Sequence, residues 1–432
     1  MKKIIRWVPF LLLWQAGQAG SQEASAVDQA FENFWLAETA EQQESSIRAI
    51  LGLDISFEEV YQRLQAGKAY AEAETGVVLR SYQSEDGTEY FYHLNVPDDY
   101  DPARQYQVRF ELHGGIGART DNQPESRNRG RTRLEGAEQI YVMPYAWTGS
   151  PWWHDSQVDN IRQILARVKQ EYNVDENRVV LGGISDGATG TWYIAMRENT
   201  LFASFYSFIG YAMVLANSSI NDNRVFLQNL IGKPWYAING GRDRLYPTSR
   251  VTPFILFLQN AGVNIDYNPI ANGEHNTRWW PDWRDDFERF VSDHPRLPHP
   301  ALISWKALPE RNNRSHWLQI EGVDLDQQSP IPLYDVGVDA SSRSQIIPIQ
   351  EAARVDVVRD GNDIQALSDG VESFRLLLSP EVIDFASPVT VTVNNEVKFR
   401  GTLEPSVETL LNWAARDRDR KMLYGAELVI NP

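Results

Sequence analysis

The sequence contains no cysteine, and this absence excludes several kinds of chemistry. Without thiols the chain cannot form disulfides, attach haem covalently, carry a lipid on a leader cysteine or bind a metal through thiolates. Low-complexity tracts and obvious internal repeats are also missing, so neither a disordered chain nor a repeat array is expected. The 432 residues have an ordinary globular composition, with 42% hydrophobic and 23% charged residues.

The chain has fewer basic than acidic residues. The chain carries 41 Lys and Arg against 58 Asp and Glu, a formal net charge of −17. Nucleic acids and anionic membranes select for basic patches, so we expect neither as a partner. The charge favours solubility, and we expect a small-molecule or polymeric substrate as the partner. Oligomeric state does not follow from these features.

Long hydrophobic runs are missing too. The longest candidate, residues 7–14, is less than half of the roughly 20 residues that a membrane-spanning helix needs. It follows three basic residues and precedes a stretch of small ones, which is the pattern of a secretory signal peptide. We therefore predict a signal peptide over residues 1–26, cleaved after Ala19 or Ala26, and a periplasmic or secreted protein without stable membrane insertion.

The rest of the chain is longer than one hydrophobic core usually holds. Residues 27–76 have a helical pattern, with a capping-box sequence that starts at Ser56. A proline-rich stretch, 294–300, cannot continue a helix and marks a domain boundary. We predict an α/β domain over 77–298 and a separate β-rich domain over 301–432, interrupted by a helix near Ser406.

Strands and helices alternate within 77–298. This alternation predicts a mostly parallel sheet with helices on both faces. The predicted strands are 89–96, 107–112, 139–143, 178–181, 205–209, 235–238 and 264–270, and the predicted helices are 156–171, 188–197, 252–261 and 283–292.

The most specific motif is Gly183-Ile184-Ser185-Asp186-Gly187. It directly follows an apolar strand and precedes a helical stretch, which is the context that a nucleophilic serine on a tight strand-to-helix turn requires. Glycines on both sides give the backbone room for strained dihedral angles and close packing. The helix that begins after Ser185 directs its positive end toward any oxyanion that forms.

Here the sequence resembles the α/β-hydrolase superfamily, in particular its secreted esterases of the polyester-depolymerase-like and dienelactone-hydrolase-like kinds. The resemblance covers roughly 77–292 and implies the α/β-hydrolase fold. The segment His113-Gly114-Gly115-Ile116-Gly117 resembles the family's oxyanion-hole loop. The resemblance implies that a backbone N–H at Gly115 or Ile116 joins that of Asp186 in holding the oxyanion, while His113 is structural.

Two later segments resemble the family's acid and histidine loops. Asp243 lies in Asn239-Gly240-Gly241-Arg242-Asp243 after a predicted strand, and His275, one of seven histidines, follows the last predicted strand. The implied triad is Ser185, His275 and Asp243, in the chain order of this superfamily. Imidazole titrates near neutral pH and can take the serine proton, and a carboxylate stabilises the resulting imidazolium. Glu274 is a competing partner for His275, although adjacent loop residues usually point apart.

Aromatic residues crowd the segments around the predicted site. Trp152, Trp153 and Trp279 are candidate substrate contacts, because exposed aromatic side chains on loops stack on sugar or aromatic rings. Packing of the loops onto the core explains them equally well, since tryptophans are usually buried. Three arginines could meet a substrate carboxylate or be merely solvated: Arg119, Arg242 and Arg278.

The sequence therefore predicts a serine esterase that works through an acyl-enzyme, with no cofactor and no metal. A serine peptidase of the prolyl-oligopeptidase kind shares the triad order, although the short helical lead-in disfavours it. A non-catalytic binding protein on the same scaffold is the third alternative. Loss of a triad member would mark it, and none is missing.

Overall fold

The computed structural model describes residues 26–122, 134–217, 220, 225–308, 311–324, 326 and 352–432. The predicted signal peptide lies almost wholly outside these residues. The chain forms two compact units. Of the described residues, those up to Ala69 form a helical unit with Pro405–Gly425, and those from Tyr70 to Glu404 form a sheet unit with Ala426–Pro432.

The described residues of the helical unit form four helices with one apolar core. The helices are α1 (26–36), α2 (Ala40–Leu51), α3 (Phe57–Ala66) and α8 (Val407–Asp417). Phe31, Ile50 and Leu64 pack with Leu410 and Leu411 in that core. The helix predicted near Ser406 is therefore present, but it packs with the N-terminal helices.

Local capping residues start the helices of this unit. The Thr39 side chain accepts the Gln42 N–H, and the Gln42 side chain accepts the Thr39 N–H, which forms a complete capping box. Ser56 accepts the Glu59 N–H at 3.2 Å, so α3 begins where its sequence predicts.

The sheet unit is built on an eight-stranded sheet of order β1-β2-β4-β3-β5-β6-β7-β8. β1 and β2 are antiparallel to each other, β2 is antiparallel to β4, and the remaining pairs are parallel. The predicted α/β class with a mostly parallel sheet is confirmed. The strands are β1 (Gly76–Gln83), β2 (Glu89–Val96), β3 (Tyr106–Leu112), β4 (Ile140–Pro144), β5 (Val174–Ile184), β6 (Ser204–Phe208), β7 (Trp235–Gly240) and β8 (Ile265–Ile270).

Burial explains why the central strands read as continuous apolar runs. β6 and β7 are buried along their whole length, as parallel strands covered on both faces must be. The four helices of this part are α4 (Asp155–Glu171), α5 (Asp186–Ala195), α6 (Thr248–Asn260) and α7 (Trp280–Asp293). None of the described helices is long and apolar enough to span a membrane.

The β-rich region of the sheet unit forms two further sheets. One has five strands in the order β16-β15-β13-β12-β9, and the other has four in the order β10-β11-β14-β17. The strands are β9 (Leu302–Ala307), β10 (Arg314–Ser315), β11 (Leu318–Val323), β12 (Ala353–Asp360), β13 (Asp363–Asp369), β14 (Val371–Leu378), β15 (Val389–Val393), β16 (Glu396–Gly401) and β17 (Ala426–Ile430).

This region shares one compact unit with residues 77–298, whereas the sequence predicts a separate domain from 301. A buried amide joins the two parts. Asn229 donates to the Lys306 carbonyl at 2.8 Å and accepts the Lys306 N–H at 2.7 Å, as a neighbouring strand would. The same amide donates to the Met196 carbonyl at 2.7 Å.

A second buried junction contains three polar side chains, which we call the buried Ser–His–Lys chain. Ser315 Oγ lies 3.0 Å from His316 Nδ1, and His316 Nε2 lies 3.1 Å from Lys233 Nζ. Lys233 also donates to the Phe202 carbonyl at 2.8 Å, and Ser315 donates to Asn199 at 2.9 Å. All three members are buried, so this chain is a packing element inside the sheet unit.

Candidate active site

Ser185 lies at the turn between β5 and α5, where the motif predicts it. Its backbone adopts φ 57° and ψ −117°, which is unusual for a residue with a Cβ. The turn is tight because its glycines, which have no side chain, pack directly against backbone atoms. A Cβ on Gly187 would lie 2.0 Å from the Leu112 carbonyl oxygen, and one on Gly183 would lie 2.4 Å from the Gly187 carbonyl carbon. The half-buried serine is thus presented at the carboxyl end of β5.

His275 lies between Ser185 and Asp243. Its Nε2 is 2.9 Å from Ser185 Oγ, and its Nδ1 is 2.7 Å from Asp243 Oδ2. The structure therefore brings together the three residues that the sequence proposes as a triad. Glu274, the alternative partner, is exposed and its carboxylate accepts from Asn276.

The carboxylate of Asp243 is fixed by its own loop. Its side chain is fully buried, and its Oδ1 accepts the N–H groups of Leu245 at 2.7 Å and Tyr246 at 3.0 Å. These bonds leave Oδ2 directed at His275, which sets the ring orientation and favours a proton on Nδ1. The Nε2 atom then accepts from the Ser185 hydroxyl.

Glycines let the acid loop and the histidine loop run side by side. The Arg242 N–H donates to the Gly273 carbonyl at 2.8 Å. A Cβ on Gly240 would lie 2.3 Å from the Gly273 carbonyl oxygen. The glycines before Asp243 and His275 are therefore part of what sets the 2.7 Å contact between the two side chains.

The loop after β3 passes directly over Ser185. A Cβ on Gly114 would lie 3.0 Å from the Ser185 Cβ. Gly115 follows in the left-handed conformation, φ 71°, and is exposed. Of the two amides proposed for the oxyanion, that of Ile116 is already used, since it donates to Asp186 Oδ2 at 2.8 Å. Gly115 remains as the candidate partner of the Asp186 N–H, and Ile116 is corrected from donor to anchor.

Comparisons with known proteins give structural similarity alone. No family model and no curated protein matches the sequence. A thermostable esterase is 21% identical with a TM-score of 0.41, and the match spans 51% of this chain and 63% of that one, less than two thirds of its length. A ferulic acid esterase from Anaeromyces mucronatus is 15% identical (TM-score 0.40, 52% and 91% covered). An S-formylglutathione hydrolase from Agrobacterium tumefaciens is 15% identical (TM-score 0.40, 52% and 97% covered).

The topology of the chain itself identifies the fold. The sheet is mostly parallel, and Ser185 lies on a strand-to-helix turn at its carboxyl edge. A loop after β3 covers that turn, and acid and histidine follow in the order Ser, Asp, His. The chain has an α/β-hydrolase fold.

Three hydrogen bonds hold the covering loop of this hydrolase fold. His113 Nε2 accepts the Ala146 N–H at 3.1 Å, which leaves Nδ1 to donate to the Gly114 carbonyl at 2.9 Å. Trp152 Nε1 donates to the His113 carbonyl at 2.8 Å. The structural assignment of His113 agrees with these contacts, and Trp152 joins it as a support of the loop.

Of the three tryptophans predicted to contact the substrate, two lie in the core and one remains a candidate. Trp152 is fully buried, and Trp279 is 7% exposed and packs edge-on against Phe208 at 5.1 Å. Both are corrected from substrate contacts to core residues, because the apolar faces of their rings are already covered. Trp153 is half-buried at the edge of the core and remains a candidate.

Tyr246 is a neighbour of the site that the sequence analysis missed. Its ring lies edge-on to His275 at 5.8 Å and is half-buried. Burial raises the pKa of Tyr246 above its usual value, with further increases from Asp186 and Asp243 and a decrease from Arg250. Its position three residues after Asp243 is the signal that could have identified it.

The three arginines differ in exposure. Arg242 and Arg278 are exposed, whereas Arg119 is half-buried. Burial lowers the pKa of Arg119 from its usual value. Among the described residues, no group of three or more His, Asp or Glu side chains is placed to hold a metal ion.

Proposed function

We propose that this chain is a serine hydrolase that cleaves carboxylic esters through an acyl-enzyme. The observation that carries the proposal is the continuous chain of hydrogen bonds from Ser185 through His275 to Asp243. A serine hydroxyl is a weak nucleophile until a base takes its proton. Here the base lies within hydrogen-bond reach and its other nitrogen meets a buried carboxylate.

The proposed reaction has two halves. Ser185 Oγ attacks the ester carbonyl carbon as its proton passes to His275 Nε2, and the oxyanion lies between the N–H groups of Gly115 and Asp186. Collapse of this intermediate breaks the ester C–O bond, and His275 gives the proton to the leaving alcohol. Water then attacks the acyl-enzyme and gives a proton to His275, which returns it to Ser185 as the acid leaves.

A fluorophosphonate probe tests the nucleophile. We expect the wild-type protein to be labelled and to hydrolyse p-nitrophenyl acetate, and Ser185→Ala to do neither. Ser315→Ala is the matched control, because Ser315 also contacts a histidine ring but is buried. Labelling that persists in Ser185→Ala, or a wild-type protein that neither reacts nor hydrolyses, would overturn the proposal.

Parallel assays with ester and amide substrates separate an esterase from a peptidase. We expect turnover of p-nitrophenyl esters and none of prolyl peptide anilides. A screen of short-chain, feruloyl, acetyl-sugar and polyester substrates then identifies the acyl group and the alcohol. Faster turnover of the anilides would replace the esterase proposal with a peptidase.

We also propose export of this enzyme, on the basis of the N-terminal pattern in the sequence. N-terminal sequencing of the mature protein is the direct measurement. A mature chain that starts at residue 20 or 27 supports export. Retention of Met1 in the purified, active protein contradicts it.

A further inference from the structure

We infer that the side chain of Asp186 is a positioning element of the oxyanion hole: its carboxylate anchors the loop that carries the second oxyanion donor. The inference rests on the proposed function and adds a role for a side chain to the one proposed for that residue's backbone. Its basis is the bond from the Ile116 N–H to Asp186 Oδ2 at 2.8 Å.

The geometry places both oxyanion donors under the control of one residue. Asp186 is the first residue of α5, and its own N–H has no carbonyl within the helix to meet. Its carboxylate holds Ile116, whose neighbour Gly115 supplies the other proposed donor. The distance between the two donors therefore depends on the Asp186 side chain as well as on the backbone.

The loop needs such an anchor. Gly114 and Gly115 have no side chains, and a Cβ on Gly115 would meet nothing within 4 Å. Gly115 and Gly117 are exposed. Ile116 is the exception: its side chain is 3% exposed, and its N–H is held by Asp186. A polar anchor and an apolar anchor on one residue thus position the two exposed glycines on either side of it.

A negative charge at this place has opposing effects. It is favourable at the first turn of α5, where the helix dipole is positive. It opposes the negative charge that develops on the oxyanion a few atoms away. Because the anchor needs an acceptor oxygen and not a charge, a neutral amide in the same shape should keep most of the function.

The experiment compares three substitutions at this position with a control. Asp186→Asn keeps an acceptor, while Asp186→Ala and the similarly shaped Asp186→Leu have none. Asp282→Ala removes an exposed acid from the first turn of another helix, α7, and is expected to leave kcat and KM unchanged. Each is assayed with p-nitrophenyl acetate and with a trifluoromethyl ketone, which binds serine hydrolases as a tetrahedral adduct.

We expect kcat to fall about 10- to 100-fold in Asp186→Ala and Asp186→Leu, with KM changed by less than about 3-fold. Affinity for the trifluoromethyl ketone should fall by the same factor as kcat. Asp186→Asn should restore most of both losses. A purely structural role would lower the yield of folded enzyme. It would not lower kcat at constant KM, and it would not lower the affinity for the trifluoromethyl ketone by the same factor as kcat.

Three results overturn the inference. Wild-type kcat and ketone affinity in Asp186→Leu would show that the anchor is not needed. Equal losses in Asp186→Asn and Asp186→Leu would assign the effect to the charge and not to the acceptor. A rise in KM without a fall in kcat would assign Asp186 to substrate binding. A wild-type protein that does not hydrolyse esters at all would instead refute the proposed function.

Discussion

Two of the Ser–His contacts in the sheet unit, Ser185–His275 and Ser315–His316, have hydrogen bonds that run in opposite directions. In the candidate site the serine donates to the ring: Ser185 Oγ meets Nε2 of His275, whose Nδ1 is turned to Asp243. The proton of the serine therefore points at an atom that can accept it. This is the direction that general-base activation of a nucleophile requires.

In the buried Ser–His–Lys chain the histidine donates to the serine. Ser315 gives its proton to Asn199, so its contact with His316 Nδ1 requires a proton on that nitrogen. The Nε2 atom then accepts from Lys233. The His316 ring therefore does not act as a base toward Ser315, although the Ser315 oxygen lies 3.0 Å from an imidazole nitrogen, nearly as close as the 2.9 Å of Ser185.

The third residue and the exposure account for the difference. A carboxylate stabilises an imidazolium, whereas an amine beside the ring does the reverse. Burial, followed by Lys233, holds the pKa of His316 well below its usual value, with smaller contributions from Arg296, Arg314 and His299. The side chain of His275 is 26% exposed, whereas His316 is 3% exposed. The candidate catalytic pair thus differs from the buried pair in two ways: a carboxylate contacts the second nitrogen of the ring, and the histidine side chain is partly exposed to solvent.

The largest expected effect comes from removing that carboxylate. Asp243→Asn keeps the shape but offers an N–H to His275, which favours the ring tautomer that cannot accept from Ser185. We expect kcat for p-nitrophenyl acetate to fall on the order of 10⁴-fold, as in other triads. Steady-state kinetics measure it.

The control for this substitution is Glu274→Gln, which changes the adjacent carboxylate that does not contact His275. It should retain kcat within about 2-fold, since exposed charges have small effects. If Glu274→Gln lost more activity than Asp243→Asn, the acid assignment would move to Glu274.

Replacing the third residue of the buried chain should change stability rather than rate. Burial lowers the pKa of Lys233 well below its usual value, with a further decrease from Arg296 and an opposing increase from Glu198. Unfolded lysine binds a proton below about pH 10.5. Between that pH and its folded pKa the unfolded state holds one more proton, so the free energy of unfolding decreases as pH falls. His316 adds a second decrease below about pH 6.5.

Lys233→Met removes the lysine part of this pH dependence. We measure the free energy of unfolding of both proteins by urea titration. The value for Lys233→Met minus that for the wild type should increase by up to about 1.4 kcal/mol for each unit by which the pH is lowered. From pH 8 to pH 5.5 the relative gain is then up to about 3.5 kcal/mol. Parallel pH profiles for the two proteins would mean that Lys233 is charged in the folded state.

Ser315→Ala should change the free energy of unfolding by less than Lys233→Met does, and the change should be independent of pH. It leaves a buried amide oxygen of Asn199 and a ring N–H of His316 without the serine, and such losses cost about 1–3 kcal/mol. The measurement is urea unfolding at pH 8 and pH 5.5, with kcat as a second readout. Ser292→Ala, an exposed serine in α7, is the control. A drop in kcat without a drop in stability would give the buried chain a part in catalysis.

The sequence predicts the triad because its signals are local. A glycine on each side of Ser185 and glycines before Asp243 and His275 are short-range requirements of turns, and strands before each loop set the order in space. It does not predict which amide of the Gly115–Ile116 pair is free. That depends on the side chain of Asp186, 70 residues further along the chain.

Long-range packing explains the remaining differences. Nothing in residues 405–425 signals that they join the N-terminal helices, because an amphipathic helix such as α8 can pack against any apolar face. Trp152 and Trp279 follow loops near the site, and whether such a ring is covered depends on segments distant in sequence.

Tyr246 provides the smallest and finest test of the comparison, since it partly covers His275 where His316 is completely enclosed. The contact at 5.8 Å is between the two rings, and Tyr246→Phe keeps the ring, so it should change kcat less than about 2-fold. Tyr246→Ala admits water to the His275–Asp243 pair, which weakens a hydrogen bond that depends on low dielectric, and we expect a loss of about 3- to 10-fold. The measurement is the steady-state kcat of both variants relative to the wild type. Equal losses in the two would show that the hydroxyl, and not the ring, contributes, and would make the tyrosine O–H a contact of the substrate.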